Sequence, residues 1–250
     1  RMKNIFDGDY DIQRLLLALQ LEVGFPITPA DTLVIFDEIQ ACPRALTSLK
    51  YFCEDAKEYA IIAAGSLLGV ADHEGTGFPV GKVDRLYLYP MTFTEFLEAT
   101  GNGQFLQLIQ NRDWRMIDSF SGKLSDLLRQ YYFVGGMPEA VETFVELKDF
   151  NRVRQVHRAL IEDYRDDFGK HAPKELSPRI GMIWDSIPAQ LSKENKKFIF
   201  SSVQSGYRAK DLELSMRWLL DSGLIHHVAK VSKPALPIDA YRDGGFKVFF

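Results

Sequence analysis

Thr32-Leu33-Val34-Ile35-Phe36-Asp37-Glu38 is the stretch on which the fold turns. The run over residues 32–36 is apolar and partly β-branched, the composition of a parallel strand buried on both faces. It stops at two carboxylates. Beyond it Pro43 opens a helix in which Leu46, Leu49, Phe52 and Cys53 share a face. A second apolar strand, residues 60–64, then ends at Gly65 and Ser66. Strand, helix and strand in that order define a parallel α/β unit. Upstream, Asp9 or Asp11 is placed to cap a helix whose Leu15, Leu16, Leu19 and Leu21 recur at helical spacing, and Gly24 and Pro26 end that helix.

Working outward, residues 85–89 alternate as a strand does, and Pro90 leads into Thr92 and Glu95, the spacing of a capping box. From Phe93 onward the pattern is helical, broken by Gly101, Gly103, Gly122 and the pair Gly135-Gly136 ahead of Pro138. The pair marks a sharp turn. A long amphipathic helix over 150–171 runs into Pro173 and Pro178, which set a boundary. The last region has helices followed by an apolar strand over 224–231, the order of a winged helix. Residues 1–92 thus read as an α/β core, 93–177 as a helical lid, and 178–250 as a winged-helix-like domain with the start of a further, truncated domain.

Composition narrows the class. With 46% hydrophobic and 26% charged residues the chain is neither disordered nor fibrous. No apolar run approaches the roughly 20 residues that span a bilayer, and residues 1–9 lack the apolar core of a signal peptide, so the expected compartment is the cytoplasm, without a membrane partner. Cys42 and Cys53 have no metal-ligand company and read as reduced packing residues. Both ends read as cut: Arg1 precedes Met2, and the chain closes inside an apolar strand, residues 246–250, with nothing after it to pair with. The net charge of -4 argues against a generally basic surface, yet residues 178–233 hold nine Lys or Arg against five acids, an excess of +4.

The carboxylates at the end of the first strand follow Walker B logic. Phosphoryl transfer needs magnesium near the β- and γ-phosphates, and a rigid strand end places Asp37 to bind the metal while Glu38 faces the attacking water. Ligands of open α/β sheets sit outside the carboxyl ends of the strands, where both acids fall. The competing reading is a strand ended by two solvated acids. Ser66, at the end of the next strand, adds a hydroxyl able to contact the γ-phosphate or the water, as a sensor residue does. The partner motif, a glycine-rich loop ending Gly-Lys-Ser/Thr, does not occur. The nearest segment, residues 76–83, has Thr76 for the first glycine, Val83 for the hydroxyl, and a strand where a helix should follow. Too few residues precede Thr32 for a phosphate loop with its own strand and helix.

Seven segments carry a resemblance: TLVIFDEIQACPRALTSLKYF, IIAAGSLLG, FPVGKV, LYPMTFTEFL, YYFVGGMPEAV, DFGKHAPKE and KPALPIDAY. In this order they resemble the bacterial and archaeal AAA-like ATPases, related to the STAND class, that join an ATPase core to a C-terminal region of unknown function. The resemblance covers essentially the whole chain. It implies a P-loop NTPase-like parallel sheet, incomplete here, with a phosphate loop upstream and a restriction-nuclease-like domain downstream. It further implies ATP and Mg2+ as ligands, Asp37 as the metal ligand, Glu38 as the catalytic acid, Gly65 and Ser66 as the sensor segment, and Gly135, Gly136 and Pro138 as the lid turn beside the nucleotide. A homo-oligomer is compatible with it. Lys82 stands where many relatives have arginine, which weakens any role in contacting phosphate across a subunit boundary; a solvated lysine is the competing reading.

Three further groups carry competing readings. His226 and His227 fall on one strand, where at most one faces inward, and no third metal ligand lies at suitable spacing. Asp166, Asp167 and His171 read as the solvated face of a long helix. Arg208, Lys210 and Arg217 surround a helix placed like the recognition helix of a helix-turn-helix, a candidate DNA contact that Asp211, Glu213 and Asp221 oppose. The sequence therefore predicts an ATPase active in the complete protein, with a nucleic-acid-binding module on an ATPase remnant as the alternative.

Overall fold

The structure, a computed structural model, describes residues 2–65 and 79–250. It divides into two compact units, one formed by residues 1–85 with 172–250 and the other by residues 86–171.

In the first unit, Asp11 caps helix α1 (Ile12–Val23) by accepting from the backbone N–H groups of Gln13 and Arg14, and Gly24 closes it with φ 80°. Ile12, Leu15, Leu16 and Leu19 are buried, whereas Leu21, expected on the same face, is exposed. Strand β1 (Leu33–Phe36) pairs in parallel with β2 (Ala60–Ala63), Leu33 opposite Ala60 and Phe36 opposite Ala63. The helix between them, α2 (Pro43–Asp55), starts with proline at its first turn and buries Ala45, Leu46, Leu49 and Phe52. Cys42 and Cys53 are both free and half-buried.

The strands were expected to be covered on both faces, and they are not. Val34, Phe36, Ile61 and Ala63 pack against the core built by α1 and α2. Leu33, Ile35 and Ile62 face the other way, with 50%, 59% and 51% of their surface exposed. Among the described residues α1 and α2 cover one side only, so an apolar run that serves two faces finds cover on one.

The same unit contains residues 172–250. Here α9 (Ser177–Leu191) packs on α10 (Ala209–Asp221). Strand β3 (His226–Val231) forms an antiparallel hairpin with β4 (Arg242–Phe249). The closing apolar stretch therefore does find a partner, and it lies before the stretch rather than after it. A backbone bond from Phe198 to the Phe246 carbonyl, 2.9 Å, ties the segment between the helices to β4. Buried Gln190 is satisfied at both ends, donating to Ser186 Oγ (3.2 Å) and accepting from the Ile199 N–H (2.6 Å). His226 and His227 are exposed, and His227 stands edge-on to Phe246.

The second unit is helical: α3 (Phe93–Ala99), α4 (Gly103–Gln110), α5 (Trp114–Ser119), α6 (Ser121–Val134), α7 (Pro138–Leu147) and α8 (Phe150–His171). The expected capping box forms, with Thr92 Oγ1 accepting from the Glu95 N–H at 3.3 Å and Glu95 Oε2 accepting from the Thr92 N–H at 2.7 Å. Phe96, Val134, Ala140, Val141, Phe144 and Val153 make its core. Residues 85–89, read as a strand, are not one. Leu86 and Leu88 are 95% and 96% exposed, and Tyr87 and Tyr89 are also exposed. Alternation becomes a strand only where a sheet edge receives it, and none of the described residues supplies one.

Candidate functional site

The acids sit where β1 ends. Phe36 holds that end in place, its ring 5.7 Å from Phe6 and 6.2 Å from Phe52, and Ile39, three residues on, is 2% exposed. Between these anchors Asp37 and Glu38 are exposed. The ladder continues past the strands: the Ala64 N–H donates to the Phe36 carbonyl at 2.8 Å, and the Ile39 N–H to the Ala64 carbonyl at 3.0 Å. The exit of β2 thus lies beside the two carboxylates at the carboxyl edge of one parallel sheet, with half-buried Gly65 next in the chain. Ser66 lies outside the described residues.

Glu38 has a left-handed backbone, φ 49° and ψ 43°. Non-glycine residues rarely adopt it, because Cβ crowds the carbonyl oxygen. The turn is held by the Glu38 N–H donating to Asp37 Oδ1 (3.0 Å) and by the Ala41 N–H donating to the Glu38 carbonyl (2.9 Å). Gln40 Nε2 donates to Glu38 Oε2 at 2.7 Å. Sequence reasoning passed over Gln40; the signal available was its place one tight turn beyond the second acid.

Asp37 and Glu38 are hard oxygen donors, the kind Mg2+ takes singly or in pairs alongside water and substrate phosphates. No group of three or more His, Cys, Asp or Glu suited to a metal occurs among the described residues. The pair therefore fits an ion that draws most of its ligands from water and phosphate, and fits poorly an ion that needs a full protein cage.

The remaining predicted residues lie elsewhere. Lys82 is exposed, as a solvated lysine should be, and it is also paired: its Nζ is 2.9 Å from Glu54 Oε1. Hydrogen bonding and charge at this pair hold the Glu54 carboxyl below its ordinary value and the Lys82 ammonium above its own. Glu54 lies in the last turn of α2, six residues before β2 begins, so the pair belongs to the amino edge of the sheet, opposite Asp37. Gly135, Gly136 and Pro138 are in the helical unit. Gly135 has φ 72° and ψ -166°, a region essentially restricted to glycine. The Met91 N–H donates to the Gly136 carbonyl at 2.7 Å, and a Cβ on Gly136 would stand 2.2 Å from the Met91 oxygen. Tyr131 OH donates to that same oxygen at 2.8 Å. Pro138 opens α7 at its first turn.

In the last segment, Arg208 is the N-terminal residue of the α10 turn, its N–H bound to Asp211 Oδ2 at 2.9 Å. Lys210, Glu213, Leu214 and Arg217 lie on the exposed face of α10, and Arg217 is 3.6 Å from Asp221.

Residues 3–97 match the family model described as an AAA domain, so the first part of the chain is similar to an ATPase-type domain. Residues 125–250, half of the chain, match the model of a domain of unknown function (DUF8612), and the chain belongs to that family. No curated protein and no solved structure matches it. No helix among the described residues is long and apolar enough to cross a membrane.

Proposed function

We propose that residues 1–92 supply the metal-binding and water-activating half of a magnesium-dependent ATPase, whose phosphate loop comes from outside these 250 residues. The observation that carries this reading is the exposed Asp37-Glu38 pair at the joined carboxyl ends of β1 and β2, with Glu38 held in left-handed backbone. Strain of that kind persists where the surroundings over-determine it, which is common at functional sites. In this reading Asp37 binds the metal, and Glu38 takes the proton from the attacking water. Gly65 and Ser66 form the sensor segment. Gly135, Gly136 and Pro138 shape the lid, residues 178–250 carry a winged helix, and ATP turnover changes the state of a cytoplasmic homo-oligomer. Bound Mg2+ would supply charge neutralisation on the phosphates.

The test uses the protein expressed from its complete reading frame. Glu38→Gln keeps the shape and removes the proton acceptor, so hydrolysis should fall on the order of 10²- to 10⁴-fold with Mg-ATP binding retained. Asp37→Asn weakens the metal site itself, so affinity should fall together with turnover. Parental hydrolysis by the Glu38→Gln protein would overturn the assignment.

The alternative, a nucleic-acid-binding module on an ATPase remnant, draws support from α10, whose exposed face carries Lys210 and Arg217 and which is followed by the β3–β4 hairpin. The acids Glu213 and Asp221 beside those cations count against it. ATP hydrolysis is therefore the reading adopted.

A further inference from the structure

We infer that Gln40 is the positioning residue for Glu38, fixing which carboxylate oxygen is free to accept the proton of the attacking water. The inference rests on the reading of Glu38 given above and adds a residue to it. Gln40 Nε2 donates to Glu38 Oε2 at 2.7 Å. Oε2 thereby already accepts one bond, and both acceptor sites of Oε1 are left for the water. The two residues are joined by a one-turn helix, Ile39–Ala41, whose first residue is anchored in the core at 2% exposure and whose Ala41 N–H returns to the Glu38 carbonyl. Backbone and side chain therefore hold the acid from both ends.

The choice of glutamine is not explained by stability. Its Oε1 is buried and has no hydrogen-bond partner among the described residues, a penalty that an apolar side chain of similar length avoids. What glutamine offers is a neutral N–H donor. A lysine or arginine in its place would pair with the Glu38 charge and compete with the proton of the water, whereas an amide orients the carboxylate and leaves its charge in place. Orientation matters because small misplacements of a reacting group cost large factors in rate.

The experiment compares the protein from its complete reading frame with Glu38→Gln, Gln40→Ala, Gln40→Met and the Glu38→Gln/Gln40→Ala double variant, reading kcat and Mg-ATP affinity separately. Gln40→Ala and Gln40→Met should each lower kcat about tenfold or more and leave affinity unchanged, since the side-chain bond of Gln40 goes to Glu38 and not to Asp37. In the Glu38→Gln background, loss of Gln40 should have no further effect, because the residue acts through Glu38. Thermal unfolding of residues 1–250 guards against a folding artefact: Gln40→Met should melt at or above the parent. Parental kcat in Gln40→Met, beside an inactive Glu38→Gln, overturns the positioning role alone. An additive loss in the double variant, or a kcat loss that tracks a lowered melting temperature, overturns it too. Parental kcat in Glu38→Gln removes the role of Glu38, and that of Gln40 with it.

Discussion

At position 38 the backbone takes φ 49° and ψ 43°, where an L-residue is strained by its own Cβ. Such strain costs on the order of 1 kcal/mol or more, and glycine would carry almost none of it. Glu38→Gly should therefore raise the unfolding free energy of residues 1–250, by up to about 1 kcal/mol, since the gain in backbone fit is partly offset by the greater freedom of glycine in the unfolded chain. Urea unfolding checks this. A destabilised Glu38→Gly chain would mean that the side-chain bond to Gln40 supports the turn more than the strained backbone weakens it. The place of Asp37 and Glu38 at the carboxyl end of a strand was legible in sequence because the apolar run stops at them. Gln40 was not, because a hydrogen bond within a tight turn leaves no periodic trace.

Among the elements, the glycine pair shows how a motif can be visible while its reason is hidden. In sequence Gly135-Gly136-Met137-Pro138 reads as a turn, and it is one, yet what requires glycine is a contact with a residue far back in the chain. The Gly136 backbone lies against Met91, and a Cβ there would meet the Met91 oxygen at 2.2 Å and nitrogen at 2.8 Å. Gly136→Ala should destabilise the helical unit by roughly 2–3 kcal/mol, within the range of backbone-clash substitutions. Loss of helical signal at lower urea than the parent is the expected measurement, and an unchanged midpoint would show that Met91 gives way freely. The long helix over 150–171 and the capping box at Thr92 were also legible, being set by local periodicity and spacing. Residues 85–89 were misread because alternation records a tendency to pair and cannot tell whether an edge is there. For α10, Arg208, Lys210 and Arg217 replaced together by alanine should abolish any salt-sensitive DNA retention and leave the fold intact, since exposed cations contribute little to stability. Retention unchanged in the triple variant would remove α10 from consideration as a recognition helix.

For the whole molecule, the distribution of chemistry is lopsided. Residues 178–233 carry an excess of +4 in a chain of net -4, so the remainder is acidic, and the exposed Asp37-Glu38 pair belongs to that acidic part. Acids alone do not bind a nucleotide: ATP is itself an anion, and its grip in P-loop proteins comes from backbone N–H groups, one lysine and the positive end of a helix. None of the 250 residues forms the Gly-Lys-Ser/Thr pattern, and Lys82, in the closest segment, is occupied by Glu54. Metal alone can bridge the acids to phosphate, but an exposed pair of carboxylates holds Mg2+ loosely without the phosphate oxygens that complete its shell. Residues 1–250 by themselves should therefore bind Mg-ATP weakly or not at all, while the protein from its complete reading frame binds it well. Titration calorimetry on both, at one magnesium concentration, makes the comparison. Micromolar affinity in the 250-residue chain would mean that phosphate is held by groups other than a phosphate loop, and the division of labour between Asp37 with Glu38 and an outside loop would have to be abandoned.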